Sequence, residues 1–163
     1  MTKAMKILDD LKCPFVINQV RYSIFDRTIE NDGLLETARK EGKGIITFSP
    51  LAQGILTDKY LNGIPSDSRI GRHARSVNEN MVSEARLGQI RALNEVARER
   101  GQSLAQMALS WVLKDDAITS VLIGASKPEQ ILDNLKVAKR PKFTDEELKK
   151  IDDIWKIDPS YFG

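Results

Sequence analysis

Apolar residues recur along this chain in two rhythms. One is helical, with contacts three or four residues apart; the other is a short dense run bounded by Gly, Pro or polar residues. The helical rhythm predicts a first helix over residues 3–12, with Ala4, Ile7, Leu8 and Leu11 on one face and Pro14 as its stop. Asn31-Asp32-Gly33 leads into a second helix carrying Leu34, Leu35 and Ala38, closed by Gly42 and Gly44. Residues 82–100 form a long helix with Leu87, Ile90, Leu93 and Ala97 inward, ended by Gly101. Ser103 and Gln106 frame a capping box before Leu104, Met107, Ala108 and Trp111, which read as plain core. Ser126 with Glu129, and Thr144 with Glu147, frame two more. Pro128 sits in the first turn of the former, whose apolar positions are Ile131, Leu132 and Leu135. Phe143 and Leu148 suit a hydrophobic staple for the last helix, whose face is Leu148, Ile151, Ile154 and Trp155.

The dense runs are residues 15–20, 44–48 and 120–123, and each reads as a strand buried on both faces. The first is followed by an irregular loop over residues 21–30, and the second stops at Ser49-Pro50. Strands separated by helices need crossover connections, so the sheet is parallel and the fold class is α/β.

Length and composition narrow the class. A chain of 163 residues with 41% hydrophobic and 29% charged residues fits one soluble domain, residues 1–163. A net charge of +2 is too mild for nucleic acid, and no apolar run approaches a membrane span. One cysteine, Cys13, rules out an internal disulfide framework and fits a reducing, cytoplasmic setting; it is expected to pack as a small apolar residue.

Candidate chemistry gathers at three places. Residues 120–135 run from a strand through Gly124-Ala125 into a helix, leaving free N–H groups and a helix dipole beside Lys127. That arrangement attracts phosphate, and it also fits any well-capped strand–helix joint. Residues 62–80 show no periodicity and carry Arg69, Arg72, His73 and Arg75, which reads either as a functional loop or as a solvated surface loop. Asp58-Lys59-Tyr60 brings acid, base and phenol together, but neighbouring side chains on a turn diverge, which argues against a catalytic set. His73, the one histidine, reads as a loop residue, and no cluster has metal-ligand spacing.

Three motifs in order carry a resemblance. Asn18-Gln19, then Phe48-Ser49-Pro50-Leu51-Ala52-Gln53-Gly54 followed by Lys59-Tyr60, then GASKPEQILDN from Gly124 make the chain similar to the second half of an aldo-keto reductase. The resemblance spans roughly residues 11–155, in the branch of bacterial glyceraldehyde-3-phosphate reductases and potassium-channel β subunits. It implies a partial TIM-type (β/α)₈ barrel, comprising strands six, seven and eight with their helices. Two open edges follow, so another chain or self-association is expected to cover them. The family's catalytic tyrosine, lysine, aspartate and histidine belong to the other half, so no catalytic residue is assigned here and activity of this chain alone is left open.

The resemblance also implies NADP binding. Asn18 and Gln19 would hold the nicotinamide carboxamide, and Phe48 would lie against the nicotinamide. Ser49, Leu51, Gln53 and Gly54 would line the pyrophosphate, with Lys59 and Arg69 as phosphate-facing cations. Gly124, Ser126, Lys127, Gln130, Asp133 and Asn134 would surround the adenosine, Ser126 and Lys127 taking the 2′-phosphate and Asp133 with Asn134 the adenine amino group. The complete enzyme would transfer hydride between NADPH and a small aldehyde or ketone. The alternative is a non-catalytic NADP-binding or regulatory subunit of the β type.

Overall fold

A computed structural model describes residues 1–72, 79–139 and 141–156; His73, Arg75 and the tail from residue 157 lie outside the described residues. The elements follow in the order α1 (Thr2–Asp10), β1 (Ile17–Arg21), α2 (Thr28–Asn31), α3 (Leu34–Lys40), β2 (Gly44–Phe48), α4 (Glu84–Glu99), α5 (Leu104–Val112), β3 (Ile118–Val121), α6 (Pro128–Leu135) and α7 (Asp145–Lys156). Short 3₁₀ turns at Ala52–Gly54, Asp58–Tyr60, Glu79–Val82 and Lys136–Lys139 fill the connections. The three strands form one parallel sheet in the order β1-β2-β3.

Register decides what each face of the sheet carries. Ile17 pairs with Gly44, Gln19 with Ile46 and Arg21 with Phe48, so these six share one face. Ser120, paired with Ile46, belongs to it too. Val20, Ile45, Thr47 and Ile118 face the helices; Ile45 and Thr47 are fully buried, and Ile45 and Ile118 belong to the core. That core continues through Leu87, Ile90, Leu93 and Ala97 of α4 and Leu104, Met107, Ala108 and Trp111 of α5. α7 packs on α4, sealing it with Ile151.

The expectation of strands buried on both faces is therefore corrected: helices cover one face, and Gln19, Arg21 and Ser120 are exposed on the other. β3 also starts two residues earlier than its apolar run, leaving Leu122 and Ile123 past its end and exposed. Arg21 belongs to β1, and α2 interrupts the loop expected over residues 21–30. On α1 the buried residue is Met5, while Ile7 and Leu11 of the predicted face are exposed. Cys13 is exposed, not packed, because the turn after α1 carries it away from the core.

The caps explain the helix starts. Ser103 accepts from the Gln106 N–H and Gln106 accepts from the Ser103 N–H, completing the box at α5. Thr144 and Glu147 do the same for α7, with N···O distances of 2.8 and 3.2 Å. Phe143 and Leu148 both pack against the core, as a staple requires. At α6 the expected Ser126–Glu129 box does not form: Lys127 is the N-cap, and the Gln130 side chain reaches back to accept from the Ser126 N–H at 2.8 Å.

Candidate functional site

Because the strands are parallel, the C-terminal ends of β1, β2 and β3 open on one side, at Arg21, Phe48 and Val121. Most of the proposed cofactor residues lie on the strand tips or the loops that leave them. Gln19 and Phe48 are on the exposed face of the sheet, one strand apart, and the Arg21 guanidinium lies 5.7 Å from the Phe48 ring centre. Asn18 pairs with Ile45 and so takes the opposite face, towards the helices. Adjacent strand residues alternate, so Asn18 and Gln19 lie on opposite faces of the sheet.

The loop after β2 is built from left-handed backbone. Ser49, Ala52 and Gln53 have φ of 55°, 46° and 63°, and Gly54 has 97°. Each of the three non-glycine residues costs on the order of 1–3 kcal/mol, and such residues gather where a loop is shaped for a ligand. The Ala52, Gly54 and Leu56 N–H groups donate within the loop, to Ser49 O and twice to Leu51 O. The Thr57 hydroxyl then donates to Gly54 O at 2.6 Å and accepts from the Lys59 N–H, which starts the turn that buries Tyr60 and leaves Lys59 exposed. Tyr60 is 2% exposed, so Asp58, Lys59 and Tyr60 do point apart.

The basic loop is anchored. Ile70 is 2% exposed and Ser68 fully buried, with the Ser68 Oγ accepting from the Gly71 N–H at 3.0 Å. A Cβ on Gly71 would overlap the Pro65 carbonyl oxygen and stand 2.9 Å from Ser66 Cα. The anchored turn holds Arg69 over the tips of β2 and β3. Arg69 Nη1 donates to Gln53 Oε1 at 2.6 Å, and its Nη2 stands 3.9 Å from where a Cβ on Gly124 would be. Gln53 Nε2 donates in turn to Ser49 Oγ at 3.0 Å. Sequence reading placed Gln53 and Arg69 near one ligand but gave no sign that they bond to each other across sixteen residues.

At β3, Gly124, Ser126 and Lys127 form the connection to α6, and Gln130 is tied to Ser126. Asp133 and Asn134 diverge: Asp133 Oδ1 accepts from Gln106 of α5 at 2.8 Å and from Lys136 at 2.9 Å, while Asn134 is 7% exposed. Leu51 is half-buried against the core.

The groups with the most displaced ionisation lie elsewhere. Tyr22 is fully buried, and burial, then its hydrogen bond to Glu30, holds its pKa far above the usual phenol range. Beside it, burial pushes Lys114 down. This tyrosine–lysine pair has the residue types of a proton relay but no exposed surface on the phenol, so it serves the core.

Comparison with known proteins decides the family. Residues 1–156 match the model of the Aldo/keto reductase family. The chain belongs to the aldo-keto reductases. It is 49% identical over 153 residues to L-glyceraldehyde 3-phosphate reductase of Escherichia coli (strain K12), covering 92% of this chain and 44% of that protein. It is 36% identical over 148 residues to a putative voltage-gated potassium channel subunit beta of Schizosaccharomyces pombe, with 88% and 43% covered. Among solved structures, a glycerol dehydrogenase from Gluconobacter oxydans superposes with a TM-score of 0.74 at 29% identity, covering 93% of this chain and 45% of that one. A thermostable aldo-keto reductase solved with the inhibitor epalrestat gives 0.63 at 27% identity, with 92% and 43% covered. The chain thus spans a little under half the length of these relatives, and its three-stranded parallel sheet is part of an aldo-keto reductase barrel.

Proposed function

We propose that this chain supplies the cofactor-holding part of an NADP-dependent carbonyl reductase. The observation that carries this reading is the convergence of Gln19, Phe48, Ser49, Gln53, Arg69 and Gly124 at the C-terminal ends of three parallel strands, the end where barrels of this type place their sites. The donor set fits a dinucleotide. Gln19 offers both an acceptor and donors to a carboxamide, and Phe48 a flat apolar face. Ser49, Lys59 and Arg69 suit a pyrophosphate, and Gly54 and Gly124 leave room for it. Ser126 and Lys127, at the start of α6, suit a 2′-phosphate, the preference for NADP over NAD resting on that cation.

Asp133, tied to Gln106, is left to take the adenine amino group, while Asn134 is buried in α6. When bound, the nicotinamide supplies hydride to a small aldehyde or ketone. We place the catalytic acid outside the residues of this chain. No described helix is long and apolar enough to cross a membrane, and we place the protein in the cytoplasm as one domain.

Among the described residues the two outer strands each have one unpaired side, and apolar residues are exposed beside both: Val16 and Ile17 at β1, Leu122 and Ile123 beyond β3, Leu132 and Leu135 on α6. Unpaired parallel edges with apolar flanks recruit further strands. We propose that another chain or a second copy covers them. The β-subunit reading ranks second, supported by the 36% match to a channel subunit against 49% to a reductase.

The test is NADPH oxidation by the purified chain with a panel of aldehydes, alongside light scattering. NADPH bound but not oxidised, by a species heavier than a monomer, is the expected result. Aldehyde-dependent turnover by a monomer would overturn the division of labour.

A further inference from the structure

We propose that Gln53 is a positioning residue that turns Arg69 and Ser49 together towards the cofactor phosphates. The proposal rests on reading this loop as the phosphate site. The chemistry of the three side chains fixes the direction of every bond. Guanidinium has donors only, so the Gln53 amide must present its oxygen to Arg69, at 2.6 Å. Its nitrogen is then turned towards Ser49, at 3.0 Å. Ser49 Oγ accepts that bond, so its own proton points elsewhere and is left to donate. Arg69 spends one Nη1 bond on the amide and keeps Nη2 beside Gly124, between the tips of β2 and β3.

The result is a relay running Arg69 to Gln53 to Ser49, with a donor left at each end and the Gln53 oxygen and one of its two N–H groups engaged in the middle. Gln53 also sits at φ 63°, so the loop bears backbone strain to aim this side chain. Gly71 and the buried Ile70 hold the other end of the relay in place.

A double-mutant cycle on NADPH binding tests the proposal, read by fluorescence titration of the whole chain. Gln53→Met keeps length but removes both bonds, and Arg69→Ala removes the cation. Each single change is expected to weaken NADPH about tenfold, the scale of a hydrogen bond to a charged group. The double variant should be no weaker than Arg69→Ala alone, because removing Arg69 frees the Gln53 amide and so already breaks the relay that orients Ser49. The salt dependence of binding should flatten to the same extent in both single variants, which a mere loss of fold would not produce. Gln53→Asn guards against misfolding: asparagine tolerates left-handed backbone but is one methylene too short for the span, so it should keep the melting temperature and lose affinity. Losses that multiply in the double variant, or full affinity in Gln53→Met and Gln53→Asn while Arg69→Ala weakens binding, would overturn the positioning role. Unchanged affinity in Arg69→Ala would overturn the phosphate-site reading itself, and the proposal with it.

Discussion

The Tyr22 hydroxyl accepts a hydrogen bond from the Lys114 ammonium at 2.7 Å and donates its own to Glu30 at 2.5 Å. The tyrosine follows β1 and the lysine follows α5, so the pair ties the sheet to the helical layer, with the ammonium also 3.5 Å from the Trp111 ring centre. Its ionisation links stability to pH. Burial, then Glu30, raises the Tyr22 pKa, so above about pH 10 the unfolded chain loses the phenolic proton and the folded chain keeps it. The stability this proton contributes is complete below about pH 10 and is lost as pH rises further. Lys114 works the other way. Burial lowers its pKa, so stability rises with pH between its folded pKa and the free-lysine value of about 10.4. Tyr22→Phe should cost about 1–2 kcal/mol at pH 7. It should also flatten the decline above about pH 10. Urea unfolding at a series of pH values checks both; an unchanged alkaline decline would contradict the assignment.

Arg27 should matter more than any surface cation. Its guanidinium lies 4.5 Å from the Trp111 ring centre and 4.3 Å from that of Trp155, with Nη1 2.5 Å from Asp152 and Nε donating to Ile24 O at 3.0 Å. It therefore joins the β1 loop, α5 and α7 in one contact. Arg27→Ala should destabilise the fold by about 3 kcal/mol, through lost packing and a stranded Asp152. Both tryptophans of the chain flank it, so their fluorescence should shift in the folded variant, and urea unfolding gives the loss.

Gly71→Ala should weaken NADPH binding and also lower stability, since the buried Ile70 and Ser68 belong to the same turn. The added methyl would run into backbone at Pro65 and Ser66, so the turn must open. Arg69 would lose its place over Gln53, while α4, α5 and α7 keep their contacts. The expected change is about a tenfold loss of NADPH affinity, as for losing Arg69 itself. A cooperative unfolding transition at a lowered melting temperature, with the titration run well below it, separates this from unfolding.

Lys127→Ala should shift cofactor preference. Lys127 is the extended N-cap of α6 and is exposed, so its side chain is available to a 2′-phosphate. NADPH affinity should fall about tenfold, the worth of one charge-assisted contact, with little change for NADH. Equal losses for both nucleotides would contradict the 2′-phosphate role.

Much of the frame was legible because it rests on local signals. The run 44–48 gave β2 with its observed bounds, since glycine starts it and Ser49-Pro50 ends it. Ser103–Gln106 and Thr144–Glu147 formed as read, because a capping box closes within one turn. Ser126 shows the limit: the same local pattern was present, but Gln130 reached back in place of Glu129. The exposed Ile7, Leu11, Leu132 and Leu135 share another cause. Periodicity marks an apolar face but not whether anything described in this chain covers it. Asn18 and Gln19 were separable in principle, because strand alternation alone sends neighbours to opposite faces. The Gln53–Arg69 contact was not, since two flexible polar side chains sixteen residues apart leave no periodic trace.

Whether these strand tips hold a nicotinamide dinucleotide is decided by equilibrium titration of NADPH into the purified chain, with Gln19→Ala in parallel. Saturable binding at one site per chain is expected, weakened about tenfold in Gln19→Ala through the loss of hydrogen bonds at the carboxamide. A well-folded chain that shows no saturable NADPH binding, or a Gln19→Ala variant that binds as tightly as the parent, would contradict it.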